Sequence, residues 1–101
     1  MIVSQVAIHP LPGTSWDDLQ KALKKSTELL TKHGAENVTV LAAVVGGENT
    51  NTIQLASTAE DWGKFGQIME AFMADDEVQT LMLETGQIAT WQTYVSQTIE
   101  V

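Results

Sequence analysis

The sequence predicts an α+β fold in which a four-stranded antiparallel sheet carries helices on one face. Three observations lead there. Segments with the two-residue period of strands alternate with segments of helical period, in the order β-α-β-β-α-(α)-β. Gly, Pro and capping residues punctuate the junctions between them. The chain has 101 residues, 44% hydrophobic, enough for one domain with a real core.

Residues 2–9, Ile-Val-Ser-Gln-Val-Ala-Ile-His, form the first strand, because Val and Ile fit a pleated surface. Pro10, Pro12 and Gly13 end pairing and turn the chain. Thr14 or Ser15 caps a helix over 15–33, with Asp17 and Asp18 in its first turn, where the helix dipole favours acid. Trp16, Leu19, Leu23 and Leu30 recur on one stripe, and Gly34 supplies the stop. Residues 36–45 are the strongest strand, residues 46–51 a polar hairpin connection, and residues 52–57 the returning strand. Ser57 and Glu60 match a capping box for a second helix over 58–74, with Trp62, Phe65, Met69 and Phe72 on one stripe. Asp76 caps a short third helix over 77–85, which buries Val78, Leu81 and Met82 and ends at Gly86. Residues 87–99 make a long last strand. This is the ferredoxin-like βαββαβ pattern with an extra short helix before the last strand, in a single domain over 1–101.

Composition excludes several roles. Five basic residues stand against 13 acidic ones, a formal net charge of −8, so nucleic acid and anionic membrane surfaces are not expected partners. All the basic residues are lysines, which leaves no bidentate fork for phosphate or carboxylate. The absence of cysteine rules out disulfides, thiolate metal sites and thiol nucleophiles. No basic stretch leads into an apolar run at the first residues and no run nears the roughly 20 residues of a membrane helix, so a cytoplasmic protein is expected.

The second strand does not alternate apolar with polar. Val38, Val40, Ala42 and Val44 point one way and Leu41, Ala43 and Val45 the other; the first strand sets Ile2, Val6 and Ile8 against Val3 and Ala7. Both sheet faces should therefore be covered, one by the helices and the other by a second copy of the chain, a homodimer with its sheets face to face.

With that order and those two-faced strands, the sequence resembles the dimeric α+β barrel superfamily over about residues 2–99. The stretch Ser57-Thr58-Ala59-Glu60-Asp61-Trp62-Gly63-Lys64-Phe65 carries the resemblance, together with the Gly46-Gly47 turn and Met73-Ala74-Asp75-Asp76-Glu77. The last two are most similar to the NIPSNAP-like branch; other branches are the antibiotic-biosynthesis-type and heme-degrading monooxygenases. The resemblance implies a pocket between sheet and helices, with Trp62 as its wall. It implies a cofactor-independent monooxygenase-like enzyme acting on a small aromatic or polyketide-like molecule; the alternative is a non-catalytic ligand-binding or structural dimer. The heme-degrading branch uses a proximal His after the Trp, and residues 63–77 contain none, so no heme or other cofactor is expected.

Individual residues add chemistry to that outline. His9, on the same face as Gln5, is the general-base candidate, since imidazole titrates near neutrality; otherwise it is a strand-end residue satisfying nearby backbone. Gln5, Gln54 and Tyr94 would orient ligand oxygens. Trp91 and Tyr94 are separated by an odd number, so at most one lines a given cavity. Met69, Met73 and Met82 make either a soft pocket wall or plain core. His33 suits a helix C-terminus, and Asp75-Asp76-Glu77 lacks the spacing of a calcium loop and reads as a cap. No metal site is expected.

Overall fold

A computed structural model describes residues 1–45, 47 and 52–101. Among them the order is β1 (Ile2–Pro10), α1 (Trp16–Lys32), β2 (Glu36–Ala42), β3 (Ile53–Ala59), α2 (Trp62–Met73), α3 (Asp76–Thr85) and β4 (Ala89–Gln97). Most of the expected hairpin connection, residues 46–51, lies outside the described residues. The strands form one sheet in the order β2-β3-β1-β4, and every neighbouring pair is antiparallel. β1 and β2 are thus parallel with β3 between them, and β3 and β4 are parallel with β1 between them. Each βαβ unit leaves a gap that a strand of the other fills, which is the ferredoxin-like arrangement.

β1 is a central strand, and its register runs without a slip against both neighbours. Strand alternation therefore sends Ile2, Ser4, Val6 and Ile8 to one face and Val3, Gln5, Ala7 and His9 to the other. The helices cover the first face. Ile2 and Ile8 join Leu55 and Ala59 of β3, Ala89 of β4, Leu19, Leu23 and Leu30 of α1 and Ile68 of α2 in one buried cluster. Val78 and Leu81 form a second cluster with Leu29 of α1 beside Phe72, which seats α3 on its neighbours. Ile8 and Val78 are fully buried, and each such side chain contributes about 1.5–3 kcal/mol.

The helix ends differ from the sequence expectation in an instructive way. Ser15 caps α1 as expected, its hydroxyl accepting from the Asp18 amide at 3.1 Å. Gly34, with φ +99°, then turns the chain where a Cβ would lie 3.2 Å from Lys64 Nζ. The second helix is not capped by Ser57. β3 is paired on both sides, so its ladder holds the chain extended to Ala59, and Asp61 takes the cap by accepting from the Lys64 amide at 2.8 Å. α2 consequently starts at Trp62, which leaves that indole in the first turn. The cap of α3 is Asp75 rather than Asp76.

The second strand also departs from a plain alternation. A bulge between Glu36 and Thr39 puts Asn37 at φ +51°, the left-handed region Asn tolerates, and its amide donates to Thr58 Oγ1 at 2.8 Å. Val38 is thereby turned onto the core. Val44 and Val45 lie beyond the end of β2 and are exposed. The uncovered sheet face is accordingly mixed rather than dry: Val3, Ala7, Leu41 and Ala56 sit among Gln5, Gln54, Gln92, Tyr94 and His9. Trp16, expected on the buried stripe of α1, is exposed at its first residue.

Asp75 ties three helix ends together. It follows directly on the Ala74 cap of α2, and its Oδ1 caps α3 by accepting from the Glu77 amide at 2.9 Å. Its Oδ2 accepts from Lys32 Nζ at 3.1 Å and lies 2.7 Å from His33 Nε2, both at the end of α1. His33 also sets its ring edge-on to Phe72. The His33 hydrogen bond first, then Lys32 and the Glu77 amide, hold the Asp75 carboxyl well below its ordinary 3.8. A depressed carboxyl favours the folded state at every pH above that ordinary value, and the contribution is lost as the pH falls below it. The melting temperature should therefore decline progressively below about pH 4. Asp75→Asn should lower it by several degrees at pH 7 and flatten the acid decline. A variant with the wild-type acid profile would show that the node does not hold the helices.

Candidate functional site

A cavity of about 320 Å³ lies between the covered face of the sheet and the three helices. Its origin is visible in the residue pairs across β1 and β3. Ile2 faces Ala59, Val6 faces Leu55 and Ile8 faces Ile53, but Ser4 faces Ser57. Two small side chains therefore stand where the neighbouring pairs are mostly large. The roof above them is built from Leu30 of α1, Met69, Phe72 and Met73 of α2, and Leu81 and Met82 of α3. These long side chains span the gap without filling it. Trp91 and Thr93 of β4 complete the floor. The Trp91 indole is pinned there by a 3.3 Å hydrogen bond from Nε1 to the Thr85 carbonyl.

The cavity wall is apolar with a few hydroxyls, and no lining residue is ionisable. Two hydroxyls are engaged by their own helices: Ser26 donates to the Ala22 carbonyl at 2.8 Å and Thr85 to the Met82 carbonyl at 3.4 Å. Met73 and Met82 are half-exposed and mark the mouth; Met69 is deeper. An arrangement of this kind suits a small uncharged molecule. Its size sits at the lower end of the range for small-molecule sites, roughly 300–1,000 Å³. Among the described residues no three His, Asp or Glu side chains converge as a metal site would require.

The structure separates the residues that the sequence grouped into one site. Trp62 is 53% exposed at the start of α2; its ring meets Phe65 edge to face, and its Nε1 donates to Gln97 Oε1 at 3.0 Å. It staples α2 to the end of β4 and does not line the cavity. Gln5, Gln54, His9 and Tyr94 come together on the uncovered face, with Gln5 directly opposite Tyr94 and His9 opposite Thr90. Tyr94 donates to Gln92 Oε1 at 3.2 Å there. Strand parity places Gln5, Gln54 and Tyr94, expected to orient oxygens, and His9, expected as the general base, on the face opposite the cavity: they have the parity of Ala7, and the cavity has the parity of Ser4 and Val6.

Of the pair Trp91 and Tyr94, the structure selects Trp91 for the cavity. Met69, Met73 and Met82 all line it. Ser4, Ser57 and Thr93 are lining residues that sequence reasoning missed. The signal was present, since Ile2-x-Ser4-x-Val6-x-Ile8 and Ile53-x-Leu55-x-Ser57-x-Ala59 each interrupt an inward apolar row with a serine.

No family model matches the chain, and no curated protein matches it in sequence. Solved structures do resemble it throughout. An uncharacterised NIPSNAP domain protein from Burkholderia xenovorans superposes with TM-score 0.76 at 13% identity, covering 98% of this chain and 95% of that one. SnoaB, a cofactor-independent oxygenase from Streptomyces nogalater, gives 0.72 at 8% identity, with 99% and 94% covered. A protein provisionally assigned as an antibiotic biosynthesis monooxygenase from Deinococcus radiodurans gives 0.65 at 12% identity, with 100% and 95% covered. These are the groups whose resemblance the sequence carried, and at such identities the likeness establishes the fold. The chain has the ferredoxin-like α+β fold that NIPSNAP domain proteins and these monooxygenase-like proteins share.

Proposed function

We propose that this chain is one subunit of a cytoplasmic homodimer that holds a small aromatic or polyketide-like molecule in the cavity between its sheet and helices. The observation that carries this reading is the cavity itself. A 101-residue chain has little volume to leave empty, yet about 320 Å³ stays open behind Trp91, Phe72 and three methionines. The cavity opens to solvent at Met73 and Met82, which gives a ligand a way in. Flat apolar rings match such walls, and methionine adapts to their outline.

The second copy is supported by the uncovered face. Leu41 is 44% exposed and Tyr94 47%, and both stand on that face beside Val3 and Ala56. Gln5, Gln54, Gln92 and His9 around them would supply hydrogen bonds across a two-fold axis. On this reading they serve the pairing of two sheets, and Trp91 takes the role of ligand wall.

Oxygenation of the bound molecule is the second reading, favoured by the fold shared with SnoaB. The cavity offers no ionisable side chain to remove a proton. A substrate would have to enter already acidic enough to give up its proton to solvent, so the cavity's own chemistry favours binding.

Light scattering at micromolar concentration should give twice the 11.0 kDa chain mass, and Ala56→Arg, which sets a charge on the uncovered face, should give the monomer. A wild-type monomer would end the dimer assignment. For the cavity, a thermal-shift titration with 2-naphthol should stabilise the wild type, approaching about 2.7 kcal/mol at a hundred times the dissociation constant. Trp91→Ala should lower the starting stability by about 3–5 kcal/mol if the indole is as well packed as a core aromatic, and weaken the ligand shift. No shift in the wild type would refute the binding site. Oxygen consumption with 1,3-dihydroxynaphthalene, above its rate without protein, would decide for the second reading.

A further inference from the structure

Ser57 is 7% exposed, in the interior of β3, on the face covered by the helices. Its hydroxyl forms no hydrogen bond with any described residue, and neither does that of Ser4 directly across on β1. Yet no buried side-chain oxygen or nitrogen among the described residues is sealed from solvent without a partner. The Ser57 oxygen therefore opens into the cavity its residue lines. Opposed residues on neighbouring strands bring their Cβ atoms to about 4.5–5.5 Å, so the two hydroxyls share one small region of the floor.

This pattern differs from the other cavity hydroxyls on the roof. Ser26 and Thr85 return their protons to carbonyls one turn back, which makes them part of their helices. Thr58, the next residue of β3, gives its hydroxyl to the Glu36 carbonyl at 3.3 Å, whereas Ser4 and Ser57 give theirs to no carbonyl among the described residues. A hydroxyl that opens into the cavity is left to water when the cavity is empty, and a ligand that displaces that water has to supply a hydrogen bond in its place. A serine hydroxyl both donates and accepts, so a phenol and a ketone satisfy it equally. An ionised carboxylate is different: its charge would enter an apolar space with no lysine or histidine on the wall.

We propose that Ser57, with Ser4 beside it, is the specificity-determining contact of the cavity and selects an uncharged ring bearing a hydroxyl or carbonyl oxygen. The assignment rests on the cavity being a ligand site, and it adds what that ligand must carry. The oxygen points at the sheet floor, and the ring lies between Trp91 and the methionines of the roof.

Calorimetric titration of the full chain with naphthalene, 2-naphthol and 2-naphthoate tests it. The wild type should bind 2-naphthol about five- to tenfold more tightly than naphthalene, the size of one hydrogen bond net of its exchange with water. It should bind 2-naphthoate at least about tenfold more weakly than 2-naphthol. Ser57→Ala should erase the preference for 2-naphthol and leave naphthalene binding unchanged. Its melting temperature should stay at or above that of the wild type, because no internal hydrogen bond is removed. If Ser57→Ala keeps the preference, or melts several degrees lower, the hydroxyl is not the selector and the proposal falls, while naphthalene binding still upholds the cavity. If none of the three binds the wild type, the cavity is not a ligand site and the inference falls with it.

Discussion

The unslipped register of β1 with both of its neighbours is the constraint on which the rest of the molecule depends. Because the strand lies inside the sheet, a shift by one residue would carry Ile2, Val6 and Ile8 to the uncovered side and bring Gln5 and His9 under the helices. Bonding on two sides makes that shift doubly expensive. The same parity decides which strand residues can meet a ligand and which can meet another chain. Ser4 and Ser57 belong to one set, Gln5 and Tyr94 to the other, and no side-chain rotation exchanges them.

The element order was legible because each signal was local. Ile and Val in 2–9, the stripe of Leu19, Leu23 and Leu30, and the stop at Gly34 follow from period, propensity and sterics alone. The relative parities were legible too: His9 with Gln5, and Trp91 opposed to Tyr94. Assigning the helices to one parity needed a comparison across strands. Ile2, Val6 and Ile8 with Ile53 and Leu55 outweigh Val3 and Ala7 with Gln54 and Ala56, but only once the strands are paired. The misplacement of Trp62 has a different origin. Ser57 and Glu60 satisfy a local capping pattern, and the pairing of β3 on both sides overrides it. Starting α2 at Trp62 puts the indole where the first turn leaves the sheet, within reach of Gln97 at the end of β4. The bulge at Asn37 had no sequence signal beyond Asn itself, because it is set by where Thr58 falls across the ladder.

The roof of the cavity depends on a junction distant from it in sequence. α2 and α3 meet at Ala74 and Asp75, and the Asp75 carboxylate is the only described acid bonded at once to a helix amide and two basic side chains. It fixes the end of α2 that carries Met69, Phe72 and Met73 and the start of α3 that leads to Leu81 and Met82. Below that anchor, half of the roof residues are unbranched thioethers, Met69, Met73 and Met82, which change shape at little cost. A rigid floor and an adaptable roof are thus joined in one site, the floor set by strand register and the roof by one carboxylate.

That division explains why the strong negative charge and the neutral cavity do not conflict. The acidic groups at the helix starts, Asp17, Asp18, Asp75, Asp76 and Glu77, act on helix dipoles and amides. Charge at these positions stabilises the frame from outside and needs no counterpart within. Inside, selectivity has to come from groups that cost little to bury when empty and gain when filled. A hydroxyl meets both conditions better than an ammonium or a carboxylate, because its desolvation penalty is the smallest of the three. A chain that lacks arginine altogether, and keeps its lysines off the cavity wall, leaves that wall hydroxyls as its side-chain polar groups, Ser4, Ser57 and Thr93 on the floor and Ser26 and Thr85 on the helices.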